Sequence, residues 1–306
     1  MKTLLLFIAG IFGFTGLSAQ HVLAPTGFFS YAFHDYEITA LSDGSITLNF
    51  NALIPQAKKG VVDSLLNLDR VKNPVAVSVN AYVIKHGSKL ILIDAGAGSS
   101  MGSSLGQLPV HLKRAGYDPS QIDVVLLTHI HADHSNGLLD QGKRVFPKAT
   151  LYVNQVDLDF WLSKTQQDAA VESEKKGFIQ ARRVVDAYAK ANRLKTFQAG
   201  SSLLEGITAL ASPGHTLGHT YYRLSSGTET LLFIGDGIHS APIQLREPCL
   251  STYFDRDTMA AAIQRKKLLE QAATHHYLIA GAHLDFPGMG YIRKKGKLYE
   301  WMPLKK

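Results

Sequence analysis

A layered α/β fold, with two sheets packed between helices, is predicted by three features of the 306-residue sequence. Strand-like runs followed by helical stretches occur twice, once in each half of the chain. Some of these strands are apolar on consecutive positions, as strands covered on both faces must be. No linker, repeat or low-complexity stretch follows Gln20, so residues 20–306 read as one domain.

Taken in order, residues 37–48 predict two strands around an Asp43-Gly44 turn. Residues 75–84 are rich in β-branched side chains, 85–89 supply a hairpin turn, and 90–94 form a short buried strand ending in Asp94. Residues 105–115 predict a helix that stops at Gly116, and 123–128 predict another buried strand. The charged stretch 156–194 has little strand signal and predicts a helical insertion of two or three helices carrying Trp161, Phe178 and Tyr188. Strands follow at 207–210, 220–224, 231–234 and 277–280, with a helix over 258–273 before the last. The cleft between the halves would collect several strand ends.

Composition narrows the partners. Hydrophobic residues make up 45% and charged residues 19%, which suits a sizeable globular core rather than disorder. The formal charge of +7 raises the possibility of nucleic-acid binding, but the 32 Lys and Arg are scattered, with only doublets such as Lys58-Lys59 and Lys294-Lys295. Without a basic block they read as a solvated surface. Lys2, the apolar run from Leu4 to Phe14 and the small residues before Gln20 predict a secretory signal peptide over residues 1–19. That apolar core is too short for a stable membrane anchor. The single Cys249 excludes an intramolecular disulfide. The expectation is a periplasmic or secreted protein that binds no nucleic acid; a homodimer is left open.

The chemistry concentrates in Thr128-His129-Ile130-His131-Ala132-Asp133-His134, directly after a buried strand. Imidazole and carboxylate are the donors preferred by zinc and also taken by iron, manganese or cobalt. Four such groups in six residues would be wasteful in a core without a cation. Three further motifs place a ligand type beside small residues after a strand: Ser212-Pro213-Gly214-His215-Thr216, Gly235-Asp236-Gly237 and Gly281-Ala282-His283. Of the other histidines, His219 is a candidate to support the site, and His239, three residues after Asp236, is a candidate to face the pocket.

Together these motifs resemble the metallo-β-lactamase superfamily, whose fold is a four-layer αββα sandwich, over essentially all the chain after the signal peptide. The resemblance implies two divalent metal ions, with zinc expected first. It assigns His129, His131 and His215 to one ion, Asp133, His134 and His283 to the other, and Asp236 to a bridge. It also implies that Asp94 supports the ligands, and the Thr128 hydroxyl is a second candidate for that role. Two such cations would share a hydroxide that attacks a carbonyl or phosphoryl centre, with Asp133 or a metal helping the leaving group depart.

Single residues separate the branches. Ala132 stands where flavodiiron proteins carry Glu, and Asp236 is the bridging acid that true metallo-β-lactamases lack. Processing nucleases usually bring extra RNA-binding segments, and an exported chain without a basic block suits them poorly; the glutathione-binding C-terminal region of glyoxalase II has no recognisable counterpart here. Segments 33–44, 87–90, 159–163, 176–178 and 282–288 are instead similar to secreted methyl parathion hydrolase and to N-acyl-homoserine lactonases. In that branch, aromatic side chains from inserted helices line a substrate pocket. Trp161 and Phe178 match such positions, although packing between helices explains them equally well. Met101 lies where a further pocket aromatic would be expected. The resemblance therefore implies a hydrolase that opens lactones, N-acyl-homoserine lactones first, which would quench quorum signalling. Phosphotriester hydrolysis is the alternative, and a nuclease or a catalytically silent metal-binding protein stands further off.

Overall fold

The computed structural model describes residues 26–304. The expected signal peptide, residues 1–19, lies outside the described residues. The first sheet uses β1 (Phe28–Phe33), β2 (Tyr36–Leu48), β3 (Val75–His86), β4 (Lys89–Ile93) and β5 (Val124–Leu126). A small hairpin, β6 (Leu139–Asp140) with β7 (Lys143–Arg144), stands apart, and β8 (Thr150–Asn154) and β9 (Leu194–Phe197) complete the first sheet. The second sheet runs in sequence order through β10 (Ser202–Leu204), β11 (Ile207–Ala211), β12 (Thr220–Ser226), β13 (Glu229–Phe233), β14 (Leu278–Ala280), β15 (Met289–Lys295) and β16 (Leu298–Pro303).

Side-chain alternation builds the layers. Ile84, Ile91, Ile93 and Leu126 of the first sheet meet Tyr222, Leu224, Leu231 and Phe233 of the second in a core between the sheets. Their neighbours Val83, Leu92 and Val125 point the other way, into a second core shared with helices. That core receives α3 (Leu108–Arg114), α5 (Gln155–Leu162) and α7 (Glu172–Ala189). Phe178, Ala181, Val185 and Tyr188 form one buried stripe of α7 at helical spacing. The outer face of the second sheet is covered by α9 (Thr258–His275) through Leu268, Leu269 and Ala272. Helix, sheet, sheet, helix is the αββα sandwich expected from the sequence.

Four short helices connect these layers: α1 (Phe50–Leu53), α2 (Val61–Leu68), α4 (Ala132–Ser135) and α8 (Ala241–Gln244). The insertion holds three helices, α5, α6 (Lys164–Ala169) and α7, but residue 194 already begins β9. Among the described residues no helix is long and apolar enough to cross a membrane.

One expectation is corrected. Asp43-Gly44 is not a hairpin turn; β2 runs straight through it with a bulge between Ser42 and Gly44. Gly44 has φ +131°, and a Cβ there would lie 1.9 Å from the Ser104 carbonyl oxygen. The bulge frees Asp43 to point inward, where its carboxylate accepts from the N–H groups of Ala97, Gly106 and Leu108. The following helix starts at Leu108 rather than at residue 105, after this capped turn.

Candidate metal centre and active site

Parallel pairing puts strand C-terminal ends side by side. The pairs β4–β5 and β13–β14 therefore bring Asp94 next to the His129–His134 loop and Asp236 next to His283. His215 enters from the turn between β11 and β12. All seven expected ligands converge where the two sheets open, and two groups of donor atoms form. The first comprises His129, His131, His215 and Asp236; the second comprises Asp133, His134 and His283.

Hydrogen bonds at the far side of each ring set its direction. Asp94 accepts from the Thr128 N–H at 2.8 Å, the Thr128 hydroxyl at 2.9 Å and His134 Nδ1–H at 2.8 Å. Because the Thr128 hydroxyl gives its proton to Asp94, its oxygen accepts from His129 Nδ1–H at 3.0 Å. His283 Nδ1–H donates to the Ser78 carbonyl and His215 Nδ1–H to Asp255. Each bond consumes the Nδ1 proton and leaves a bare Nε2 lone pair facing the centre. Asp94 and Thr128 thus contact His134 and His129 from behind.

The inward atoms are crowded. His215 Nε2 lies 3.2 Å from His129 Nε2, 2.8 Å from His131 Nδ1 and 3.1 Å from Asp236 Oδ2. In the second group, His134 Nε2 is 3.0 Å from Asp236 Oδ1 and 3.6 Å from Asp133 Oδ2, and His283 Nε2 is 3.2 Å and 3.4 Å from the same two oxygens. Tetrahedral ligation at about 2.0–2.2 Å sets donor spacings of about 3.3–3.6 Å. His134 Nε2 and Asp236 Oδ1 are buried without a hydrogen-bond partner. Lone pairs facing one another across such gaps fit a divalent cation in each group, with Asp236 placed between them.

Electrostatics agree. Burial raises the cost of ionising Asp236, yet the surrounding His134, His283, His215 and His129 hold its carboxyl well below the usual carboxylate range. Burial lowers His215, but Asp236 and Asp255 overcome it and lift this histidine to about 9. His131 is pulled down to about 3, by burial and then by the neighbouring His215.

Two buried carboxylates at the site were not picked out from the sequence. Asp157 accepts from Ile130 N–H at 3.2 Å and Gly218 N–H at 2.7 Å, tying the His129–His134 loop to the His215 turn. Asp255 holds His215. Each has a second acid two residues on, Asp159 and Asp257, and nothing in the local pattern sets it apart; only the fold shows its partners. His219 accepts the Asp236 N–H at 3.1 Å, which explains its burial. Gly235 makes this approach possible: its φ is +44°, and a Cβ would lie 2.8 Å from both His219 Nε2 and the Thr128 side chain.

Above the donors lies a cavity of about 490 Å³ lined by Met101, Phe160, Trp161, Phe178 and His239, with His131, Asp133, His215, Asp236 and His283 of the donor set at its floor. Trp161 packs on Phe178 with ring centroids 4.9 Å apart and meets the His131 ring edge-on at 5.6 Å. These aromatics therefore both pack the insertion and wall the cavity. His239, 2% exposed, has no hydrogen-bond partner at either ring nitrogen, and Nε2 lies 3.2 Å from Asp236 Oδ2.

Known proteins share this architecture. The hydrolase AbOPH of the beta lactamase superfamily superposes with a TM-score of 0.87 at 33% identity, covering 92% of this chain and 98% of that one. The dizinc quorum-quenching lactonase AidC, solved with its product N-hexanoyl-L-homoserine, gives a TM-score of 0.85 at 28% identity over 92% and 98% of the two chains. The endoribonuclease YSH1 of Yarrowia lipolytica is 27% identical over 166 residues, 52% of this chain. This chain spans 19% of that relative's length. Residues 74–283 match the metallo-beta-lactamase superfamily. With its seven convergent donors and this architecture, the chain belongs to the metallo-beta-lactamase superfamily and is a metal-dependent hydrolase.

Proposed function

We propose that this protein is an exported hydrolase with two metal ions that opens lactone rings, N-acyl-homoserine lactones foremost. The observation that carries the reading is the aromatic-walled cavity standing directly on the two donor groups. An uncharged ring with an apolar tail matches it: the tail lies against Phe160, Trp161 and Phe178, and the ester carbon reaches the floor. The likeness to the lactonase AidC over most of both chains supports the same choice.

Two divalent cations, zinc by the nitrogen and oxygen donor set, supply water of lowered pKa and polarise the carbonyl when bound. His129, His131 and His215 would hold one, Asp133, His134 and His283 the other, with Asp236 between. Asp133 is the most exposed ligand carboxylate, at 16% against 4% for Asp236. Burial opposes its ionisation, but His134 and His283 hold its carboxyl below the ordinary range. As an ionised carboxylate it is placed to take the proton given up by the attacking water and pass it to the leaving alkoxide. His239 offers a neutral imidazole to the substrate, burial keeping its pKa below the ordinary value.

Phosphotriester hydrolysis is the second reading. The cavity wall selects for uncharged, oily groups rather than for a lactone ring, and lactone opening passes through a tetrahedral centre of phosphotriester shape. An RNA substrate suits this apolar wall poorly.

Purified protein loaded with zinc should turn over N-hexanoyl-homoserine lactone faster than a methyl phosphotriester, and RNA not at all. Preference for the phosphotriester would replace the first reading with the second. Export rests on the N-terminal apolar run. Deleting residues 1–19 should retain the protein in the cytoplasm, and unchanged fractionation would refute that part.

A further inference from the structure

The inward face of α9 reads Ala261, Arg265, Leu268, Leu269 and Ala272, with one arginine in an otherwise apolar row. Arg265 is 1% exposed. Burying a guanidinium carries a desolvation penalty that only well-made partners offset, so a leucine would fill this place more easily. The partners are specific. Arg265 Nε–H donates to the Gly237 carbonyl at 2.9 Å, one residue after Asp236. Nη1 donates to the carbonyls of Pro248 at 2.9 Å and Leu250 at 3.4 Å, and Nη2 reaches Asp255 Oδ2 at 3.4 Å.

Asp255 is the carboxylate whose other oxygen accepts from His215 Nδ1–H at 2.9 Å. Its Oδ2 also accepts from Thr252 N–H at 2.9 Å. The same loop grips the His215 turn through its main chain: Arg256 N–H donates to the His215 carbonyl and Asp257 N–H to that of Gly214. One guanidinium therefore touches the carriers of both His215 and Asp236, which come from different strand ends. The second donor group is braced otherwise, His134 by Asp94 and His283 by the Ser78 carbonyl, both from the first-sheet side. None of those contacts involves Arg265.

We propose that Arg265, acting through Asp255, is a positioning residue for the metal group of His129, His131 and His215, and that it serves that group more than the other. The inference rests on the two-ion reading of the site. A planar fork suits this task because it can bond two elements at a fixed angle, which a lysine ammonium cannot. If Arg265 only satisfied the Pro248 and Leu250 carbonyls, its loss would lower stability without discriminating between the ions.

The test uses the full mature protein and Zn²⁺ itself, titrated against a chromogenic chelator. Wild type should show two bound ions. In Arg265→Met one of the two should weaken about 10–100-fold, the range for lost supporting contacts, while the other stays within about threefold. The gap in melting temperature between zinc-loaded and chelated protein should shrink accordingly. Arg265→Lys should lose nearly as much, and Asp255→Asn should reproduce the effect without adding to it in the double variant. Asp255→Asn keeps the arginine and its carbonyl contacts, so it carries the test should Arg265→Met fail to fold. Unchanged affinities in folded variants, or equal weakening of both ions, would overturn the proposal. Fewer than two ions on wild type would instead overturn the two-ion reading.

Discussion

The two halves of the molecule furnish their ligands differently. The first half delivers four donors from one loop, His129 to His134, whose backbone is fixed by β5 behind it and by Asp94 and Asp157 beside it. The second half delivers three, one each from the ends of β11, β13 and β14. A local loop can be perturbed at one ligand and keep its others in place. A donor brought singly from a strand end depends on contacts from distant residues, such as Asp255 for His215 and Ser78 for His283. The geometry of the second half is thus a product of packing, and most of its energetic vulnerability should lie there.

Asp236→Ala tests this at its extreme, because this one residue faces both donor groups. Losing a single preorganised electrostatic group costs on the order of 10²–10³ in kcat. Here the loss should exceed about 10³-fold, with zinc content falling below that of a His131→Ala variant. Equal zinc loss in the two would remove the distinction between a shared and a local ligand. Next in size is Asp157→Ala. It strips the acceptor from two buried N–H groups, each worth about 1–3 kcal/mol when left unpaired, so stability should drop by roughly 2–5 kcal/mol in a denaturant titration. A drop below about 1 kcal/mol would show that the two loops do not need their common brace.

That same contrast explains what could be read from the sequence. The His129–His134 run was legible because its ligands are sequence neighbours, and its strand because apolar residues run straight into it. His215, Asp236 and His283 were legible only as a set, each marked by small residues after a strand. Their pairing into two groups came from family likeness, and the observed distances agree with it. Asp157, Asp255 and Arg265 are not legible, since a polar residue in a helix or loop carries no local sign of the buried groups it meets 10 to 61 residues away along the chain. Asp43-Gly44 misled for a related reason. A turn and a bulge share the same two residue types, and the Ser104 backbone that decides between them lies far along the chain. The β15–β16 hairpin carries little sequence signal because its charged Lys294-Lys295-Gly296-Lys297 end hides the strand alternation.

pH should separate the metal-free and loaded states with opposite slopes. Without metal, His215 has a folded pKa of about 9 against an ordinary 6.5, because Asp236 and Asp255 outweigh burial. A raised folded pKa stabilises fully below 6.5 and is lost as pH climbs through about 9. Chelated protein should therefore become less stable across that window. His134 and His283, raised chiefly by Asp236 against the opposing effect of burial, add to the trend. His129 and His131, lowered by burial, titrate below it. Zinc needs the deprotonated rings, so its affinity should rise with pH by about tenfold per unit for each proton displaced. Calorimetry in two buffers of different ionisation enthalpy would count those protons. Zinc binding that releases none at pH 7 would refute the assignment of His215 as a ligand.

The smallest effect is expected at the cavity wall, where neither half's ligand geometry is touched. Met101 is 40% exposed and borders the cavity from the first half, across from the insertion aromatics. Removing its side chain beyond Cβ deletes three heavy atoms that are only partly desolvated by a bound tail, worth about 1 kcal/mol at roughly 0.8 kcal/mol per buried methylene. Met101→Ala should then raise KM about fivefold for a long-chain lactone, and leave kcat and both zinc affinities unchanged. A short-chain lactone, whose tail ends before Met101, should show no change in KM. A fall in kcat with either substrate would mean that Met101 acts on the donor groups rather than on the tail, and the wall and the floor of the cavity would have to be treated as one unit.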